Sequence, residues 1–325
     1  MTSLRLVLAL AGLGGLLAVA ADPKPGRVAI SDPTKLKDNT DFALQGEYSG
    51  GKQNDSLQVI ALGDGKFRGK AFDGKLPGEG PAKQASLELE GTLADGAVVF
   101  KKGDRVLGTL KGGEVRSPVG DDVPLKKVLR ESPTIGAKPP EGADVLFGGT
   151  GDEEKWAGGK LVKLSDGQFL AAGCTSKKTY GDFTAHVEFR LPFMPNSRGQ
   201  ARGNSGVYPQ DRYEIQVLDS FGLKGENNEC GGVYTVAKPS VNMCFPPMAW
   251  QTYDIDFTAA KFDEAGKKTA NARLTLKHNG VTVHDNIEIP KSTGGGQPEG
   301  PKPGPIQLQN HGDPVVYRNI WAKAK

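Results

Sequence analysis

Phe183-Thr184-Ala185-His186-Val187-Glu188-Phe189-Arg190-Leu191 alternates without a break. Its odd positions are apolar and its even positions polar, the period of two that belongs to a half-buried strand. The pattern returns downstream. Tyr253, Ile255 and Phe257 alternate with Thr252, Asp254 and Asp256, and Leu274 and Leu276 with Arg273, Thr275 and Lys277. His278-Asn279-Gly280 then turns the chain into Val281 and Val283. Each strand has one dry face and one wet face, which predicts an antiparallel sandwich rather than a buried parallel sheet. No amphipathic helix of comparable clarity competes, so the chain reads as all-β. The pattern occupies residues 143–325, enough chain for two stacked sheets, with Thr293 to Pro305 as a long Gly- and Pro-rich surface loop.

Upstream, residues 42–125 read as a small β-meander domain. Leu44-Tyr48, Leu57-Leu62, Phe67-Phe72, Ser86-Gly91, Val98-Lys102 and Val106-Leu110 are the expected strands. Gly63-Asp64-Gly65, Asp95-Gly96 and Gly103-Asp104 punctuate them, as hairpins require. No acid, base or nucleophile converges there, so the module reads as structural or docking. Residues 126–142 contain Ser132-Pro133 and Pro139-Pro140 and read as a linker between domains. Residues 22–41 form a polar leader. Residues 1–21 carry Arg5 near their start, run apolar from Leu6 to Val19 and end in Ala18-Val19-Ala20-Ala21. That is the pattern of a secretory signal peptide, and it predicts an exported protein, periplasmic or extracellular. No later stretch is long and apolar enough for a membrane span.

Composition excludes some partners. The net charge is +3 over 325 residues, with signs interspersed, which gives no electrostatic footprint for nucleic acid. The content of 45 Gly and 22 Pro suits short strands and many turns. Of the three cysteines, Cys230 and Cys244 enclose a short segment and are the natural disulfide pair, with three buried thiols as the alternative. The four histidines lack zinc-ligand spacing, so no metal site is read; His284 reads as a satisfied surface histidine.

The chemistry-bearing stretch is Gly203-Asn204-Ser205-Gly206-Val207-Tyr208 followed by Arg212-Tyr213-Glu214-Ile215-Gln216-Val217-Leu218-Asp219-Ser220. Tyr213, Ile215 and Val217 point to the core, and Arg212, Glu214 and Gln216 to the opposite face. A β-bulge near Val217 would return Leu218 to the core and Asp219 to the polar row. A second row is Gln307, Gln309 and His311, set against Ile306 and Leu308. The loop Glu226 to Tyr234 adds amides, carboxylates and Tyr234 at the rim. Rows of carboxylate, amide and cation suit sugar hydroxyls, and C–O cleavage needs an acid or base against the ring. Glu214, Asp219 and His311 are the expected catalytic groups. Asn204, Tyr208, Arg212, Gln216, Tyr234, Gln307 and Gln309 are the expected substrate contacts.

These segments resemble the 3-keto-disaccharide hydrolase domain. So do Leu146-Phe147-Gly148-Gly149, Cys230-Gly231-Gly232-Val233-Tyr234, Trp250-Gln251-Thr252-Tyr253-Asp254, His278-Asn279-Gly280-Val281, Gly304 to Gly312 and Tyr317-Arg318-Asn319-Ile320-Trp321. The resemblance runs in order from Ala143 to Lys325. It implies a concanavalin-like jelly-roll β-sandwich, preceded here by the small β-rich domain. It also implies a ligand on a concave sheet face and action on glycosides already oxidised at C3. With a ketone at C3 the C2 proton is acidic, so a modest base and polarising donors suffice, and the glycosidic oxygen leaves C1 by elimination. A divalent metal could replace the donors, although no cofactor is evident. Two other readings stay open. Glu214-Ile215-Gln216-Val217-Leu218-Asp219 resembles the E-x-D-x-x-E strand of retaining glucanases, with Gln216 in place of the central acid. A non-catalytic, lectin-like glycan binder fits the same fold.

Overall fold

A computed structural model describes residues 28–52, 55–80, 86–118 and 123–325; the expected signal peptide lies outside the described residues. The N-terminal strands are Gly46–Gly50, Asp55–Gly63, Lys66–Phe72, Ser86–Ala94, Ala97–Lys102, Arg105–Lys111, Glu114–Arg116 and Leu125–Val128. Each pairs with its sequence neighbour, and the first pairs with the last through Glu47 and Val128, so the meander closes into a barrel. Asp95 and Gly96 both hold positive φ at one hairpin, which is why that dipeptide sits there. Tyr48, Val59, Phe67, Val98, Phe100 and Leu110 fill the interior.

Two boundaries differ from the expectation. Leu44 ends a short helix, Thr40–Leu44, rather than beginning a strand, because the Asn39 side chain accepts from Phe42 N and caps it. The segment read as linker starts inside the closing strand, and its Pro-rich part is held against the sandwich. Thr134 Oγ1 donates to Asp254 at 2.8 Å, Gly136 N to Glu188 at 2.6 Å, and Ala137 O accepts from both Asn319 and Trp321.

The C-terminal region is the sandwich. One sheet has the order Trp156–Ala157, Cys174–Tyr180, Gly304–Leu308, Ser205–Tyr208, Ile215–Val217. The other runs Leu161–Leu164, Gly167–Ala171, Val316–Ala324, Phe183–Arg190, Trp250–Thr258, Ala272–His278, Val281–Ile289, with Asp144–Phe147 also paired on Val316–Ala324. Phe183, Val187 and Phe189 meet Val207, Ile215 and Leu308 across the core, as the period of two demands.

The even positions of the deciding strand are not wet. His186, Glu188 and Arg190 are all buried, the first two beneath residues 132–137 and the last strand, Arg190 against Asp166, Phe169 and Trp250. His186 Nδ1 lies 2.6 Å from Asp254 and its ring stacks on Trp321. Burial opposes charge on Glu188, but His186, Asn319, Gly136 N and Arg318 overcome it and hold the carboxyl at about 2. His284 is likewise buried, with Nε2 2.8 Å from Gly231 O, and is not a surface residue.

Barrel and sandwich share a continuous interface. Phe193 of the sandwich enters the barrel core, and Ile60 of the barrel enters the sandwich core. Arg130 pairs with Glu47 of the barrel and lies over the Phe245 ring of the sandwich, and Lys70 Nζ donates to Leu223 O at 2.7 Å. Among the described residues no helix is long and apolar enough to cross a membrane.

Candidate active site

The outer face of the five-stranded sheet carries the polar row. Register places Gly206 opposite Gln216, Val207 opposite Ile215 and Tyr208 opposite Gln307. Val207, Ile215, Ile306 and Leu308 go to the core, so Gly206, Tyr208, Glu214, Gln216 and Gln307 share the other face. Gly206 is the floor. A Cβ there would lie 2.9 Å from Glu214 Oε1 and 2.8 Å from Tyr208 Cε2, so only glycine lets carboxyl and phenol meet over the strand.

Glu214 is 3% exposed. Burial pushes its carboxyl up to about 7, and a hydrogen bond with Tyr208 opposes the rise. Tyr208 Oη accepts from Gln309 Nε2 at 2.8 Å and donates to Gly294 O at 3.2 Å. Around them, Gln200 Oε1 accepts from Gln216 Nε2 and from Asn204 Nδ2, both at 3.1 Å, while Gln200 Nε2 donates to Asn228 O at 2.7 Å. These bonds hold the amides but leave Gln216 Oε1, Gln309 Oε1 and Asn204 Oδ1 buried without a partner. Three unpaired carbonyl acceptors in one region are costly unless a ligand's donors complete them.

The loop Thr293 to Pro305 is a strap across this face. Glu214 N donates to Thr293 Oγ1 at 2.7 Å and Thr293 N to Arg212 O at 2.9 Å. A Cβ on Gly296 would fall 2.3 Å from Arg212 O, and one on Gly295 3.2 Å from Tyr208 Oη, so the triple glycine lets the strap lie flat. Tyr234 joins through its backbone N–H to Glu214 O, and Gly294 lies against its ring.

Several expected site residues lie elsewhere. Asp219 is a buried ion pair: Oδ2 accepts from Arg202 Nε at 2.6 Å and Oδ1 from Phe221 N at 3.3 Å. The strand ends at Val217, the chain leaves the sheet, and Leu218 and Asp219 are both buried, so Asp219 does not extend the polar row. Arg212 is spent on the strap, donating to Gly300 O and Lys302 O, each at 3.1 Å. His311 lies exposed on the turn beyond Gly304–Leu308, where Asn310 Oδ1 takes Gly312 N. Cys230 and Cys244 are buried free thiols rather than a disulfide; Cys230 Sγ lies 3.2 Å from Tyr253 Oη. Gly206, Gln200 and Thr293 were not singled out by side-chain chemistry. The glycine triplet at 294–296 was the available signal. Among the described residues no three His, Cys, Asp or Glu side chains gather to hold a metal.

Residues 142–323, more than half of the chain, match the model of the 3-keto-alpha-glucoside-1,2-lyase-like domain. The chain belongs to that family. In keeping with it, the chain is similar to a solved Parabacteroides distasonis protein named, by inference, as a glycosyl hydrolase. Identity is 30%, the TM-score is 0.51, and the match covers 57% of this chain and 84% of that one. A second Parabacteroides distasonis structure with the same naming matches at 20% identity and TM-score 0.36, over 56% of this chain and 99% of that one. No curated protein matches. The family match takes in the whole of the glycine floor, the strap and Glu214, and leaves the barrel outside.

Proposed function

We propose that the protein is an exported carbohydrate-active enzyme that cleaves 3-keto-glycosides by base-assisted elimination at Glu214. The observation that carries this reading is a buried carboxyl, raised to about 7, set beside three unpartnered amide carbonyls. A base that titrates near neutrality is matched to removing an acidified carbon proton, and amide carbonyls suit sugar hydroxyls. Family membership and the glycosyl hydrolase naming of the similar structures support a carbohydrate substrate.

In this mechanism Glu214 takes the C2 proton and the electron pair becomes an enolate on the C3 oxygen. Tyr208 Oη, whose proton is released from Gly294 O as the strap lifts, is the hydroxyl donor for that oxygen. Collapse of the enolate expels the glycosidic oxygen from C1, leaving an enone, and the departing oxygen takes the proton from Glu214. Addition of water at C1 with a proton at C2 completes a net hydrolysis. Because Glu214, Tyr208 and Gln216 are nearly inaccessible, the Thr293–Gly296 strap lifts to admit substrate.

A single carboxylate on the face favours elimination over the two-carboxylate retaining reaction, since Gln216 and the ion-paired Asp219 supply no second one. The test is an assay of a 3-keto-glucoside beside its unoxidised parent. Release from the ketone alone is expected. Release from both would point to a glucosidase, and binding without release to a lectin.

A further inference from the structure

The two ends of the barrel are built differently. At one end, Phe42 of the short helix and Phe193 of the sandwich meet edge to face at 5.3 Å, with Leu36 packed beside them. That end is sealed. Toward the other end the interior opens into a cavity of about 640 Å³. Leu57, Leu89, Phe100, Leu107, Val115 and Leu125 line its wall. The charged groups among its described lining residues are the carboxylates of Asp55 and Asp73. Leu87 and Val123, two of the few large apolar side chains the described surface exposes, stand at the same opening.

Protein interiors pack densely, and an unfilled recess of this size at one end of an otherwise filled barrel forfeits contacts along its walls. Its volume falls in the range of small-molecule sites, and its lining is mixed, with the leucines, Phe100 and Val115 set against Ser56, Ser86 and Ser117. An eight-stranded barrel has an interior that side chains just fill or that holds one small ligand, and the recess left here suits the second. We propose that the barrel is a binding module for one uncharged molecule with an apolar body, ring-bearing or short-chain, taken in at the end marked by Leu87 and Val123. The carboxylates of Asp55 and Asp73 select against anions such as free fatty acids. This site is independent of Glu214 and of the sugar reading.

The test uses the full chain and two naphthylamine dyes of similar size, uncharged N-phenyl-1-naphthylamine and its anionic anilinonaphthalene sulfonate relative. The uncharged dye should bind saturably, one per chain, and the anion about tenfold or more weakly. Gly108 lines the cavity at ordinary φ, and a Cβ there meets nothing nearer than Val115 at 3.5 Å, so Gly108→Leu fills the space without backbone strain. Gly108→Leu should keep the fold, by an unchanged or higher melting temperature, and weaken the uncharged dye about tenfold. Asp73→Asn, at the rim, should keep the uncharged dye and narrow the gap to the anion. No saturable binding by the wild type, or binding that a folded Gly108→Leu leaves intact, overturns the site. Equal affinity for both dyes overturns the selection by charge.

Discussion

Replacing Glu214 by glutamine separates what the carboxyl does for turnover from what its burial does to the fold. The group's pKa rises from 4.5 to about 7 on folding, through loss of water around the charged form. The folded state therefore holds a proton that the unfolded chain releases. Because the folded value lies above the unfolded one, this contribution is fully present below pH 4.5 and is lost as pH rises through 7. A displacement of that size is worth about 3 kcal/mol. Glutamine keeps the shape and never ionises. Glu214→Gln should match the wild type in stability at pH 4 and exceed it by up to about 3 kcal/mol at pH 8. Turnover of a 3-keto-glucoside should fall about 10²- to 10⁴-fold, the usual worth of a general base. Urea midpoints at the two pH values, with rates on the same preparations, read both effects. Normal turnover would remove Glu214 as the base. A stability gain that ignores pH would show that the carboxyl does not titrate where burial places it.

Three other substitutions probe the same construction. Tyr208→Phe removes the hydrogen bond that holds the Glu214 pKa down, so the rising limb of the pH–rate profile should move to higher pH; an unmoved limb would uncouple the two. Gly206→Ala puts a methyl 2.9 Å from Glu214 Oε1 and should cut the rate about 10²-fold in a folded protein, checked by kinetics beside circular dichroism. Asp219→Asn breaks the buried pair with Arg202 and should cost about 3–5 kcal/mol in denaturant unfolding, with KM little changed in whatever protein stays folded.

The sandwich was legible because alternation is a local property: each of Phe183, Val187 and Phe189 declares its face within one strand. The barrel's strands were legible for the same reason, while its closure depends on pairing Glu47 with Val128, some 80 residues away, which no local pattern encodes. Parity put Glu214 and Gln216 on one face, as the register does. It failed at Asp219, where the strand stops at Val217 and the side chain finds Arg202 instead. Polar patterning along Ser132 to Gly142 read as a linker, because nothing local reveals that Thr134 and Gly136 will find Asp254 and Glu188. The even positions His186 and Glu188 read as solvated for the mirror-image reason: their cover comes from that distant segment. The strap was visible only as a run of glycines, and its purpose depends on Arg212 O and Tyr208 Oη lying beneath it.

The most direct test follows the proton at C2. Elimination requires Glu214 to remove it, and water addition returns one from solvent. A 3-keto-glucoside turned over in deuterium oxide should yield a sugar carrying deuterium at C2, and a substrate deuterated at C2 should react several-fold slower. Cleavage that leaves the C2 hydrogen in place and shows no isotope effect would contradict elimination and require direct displacement at C1.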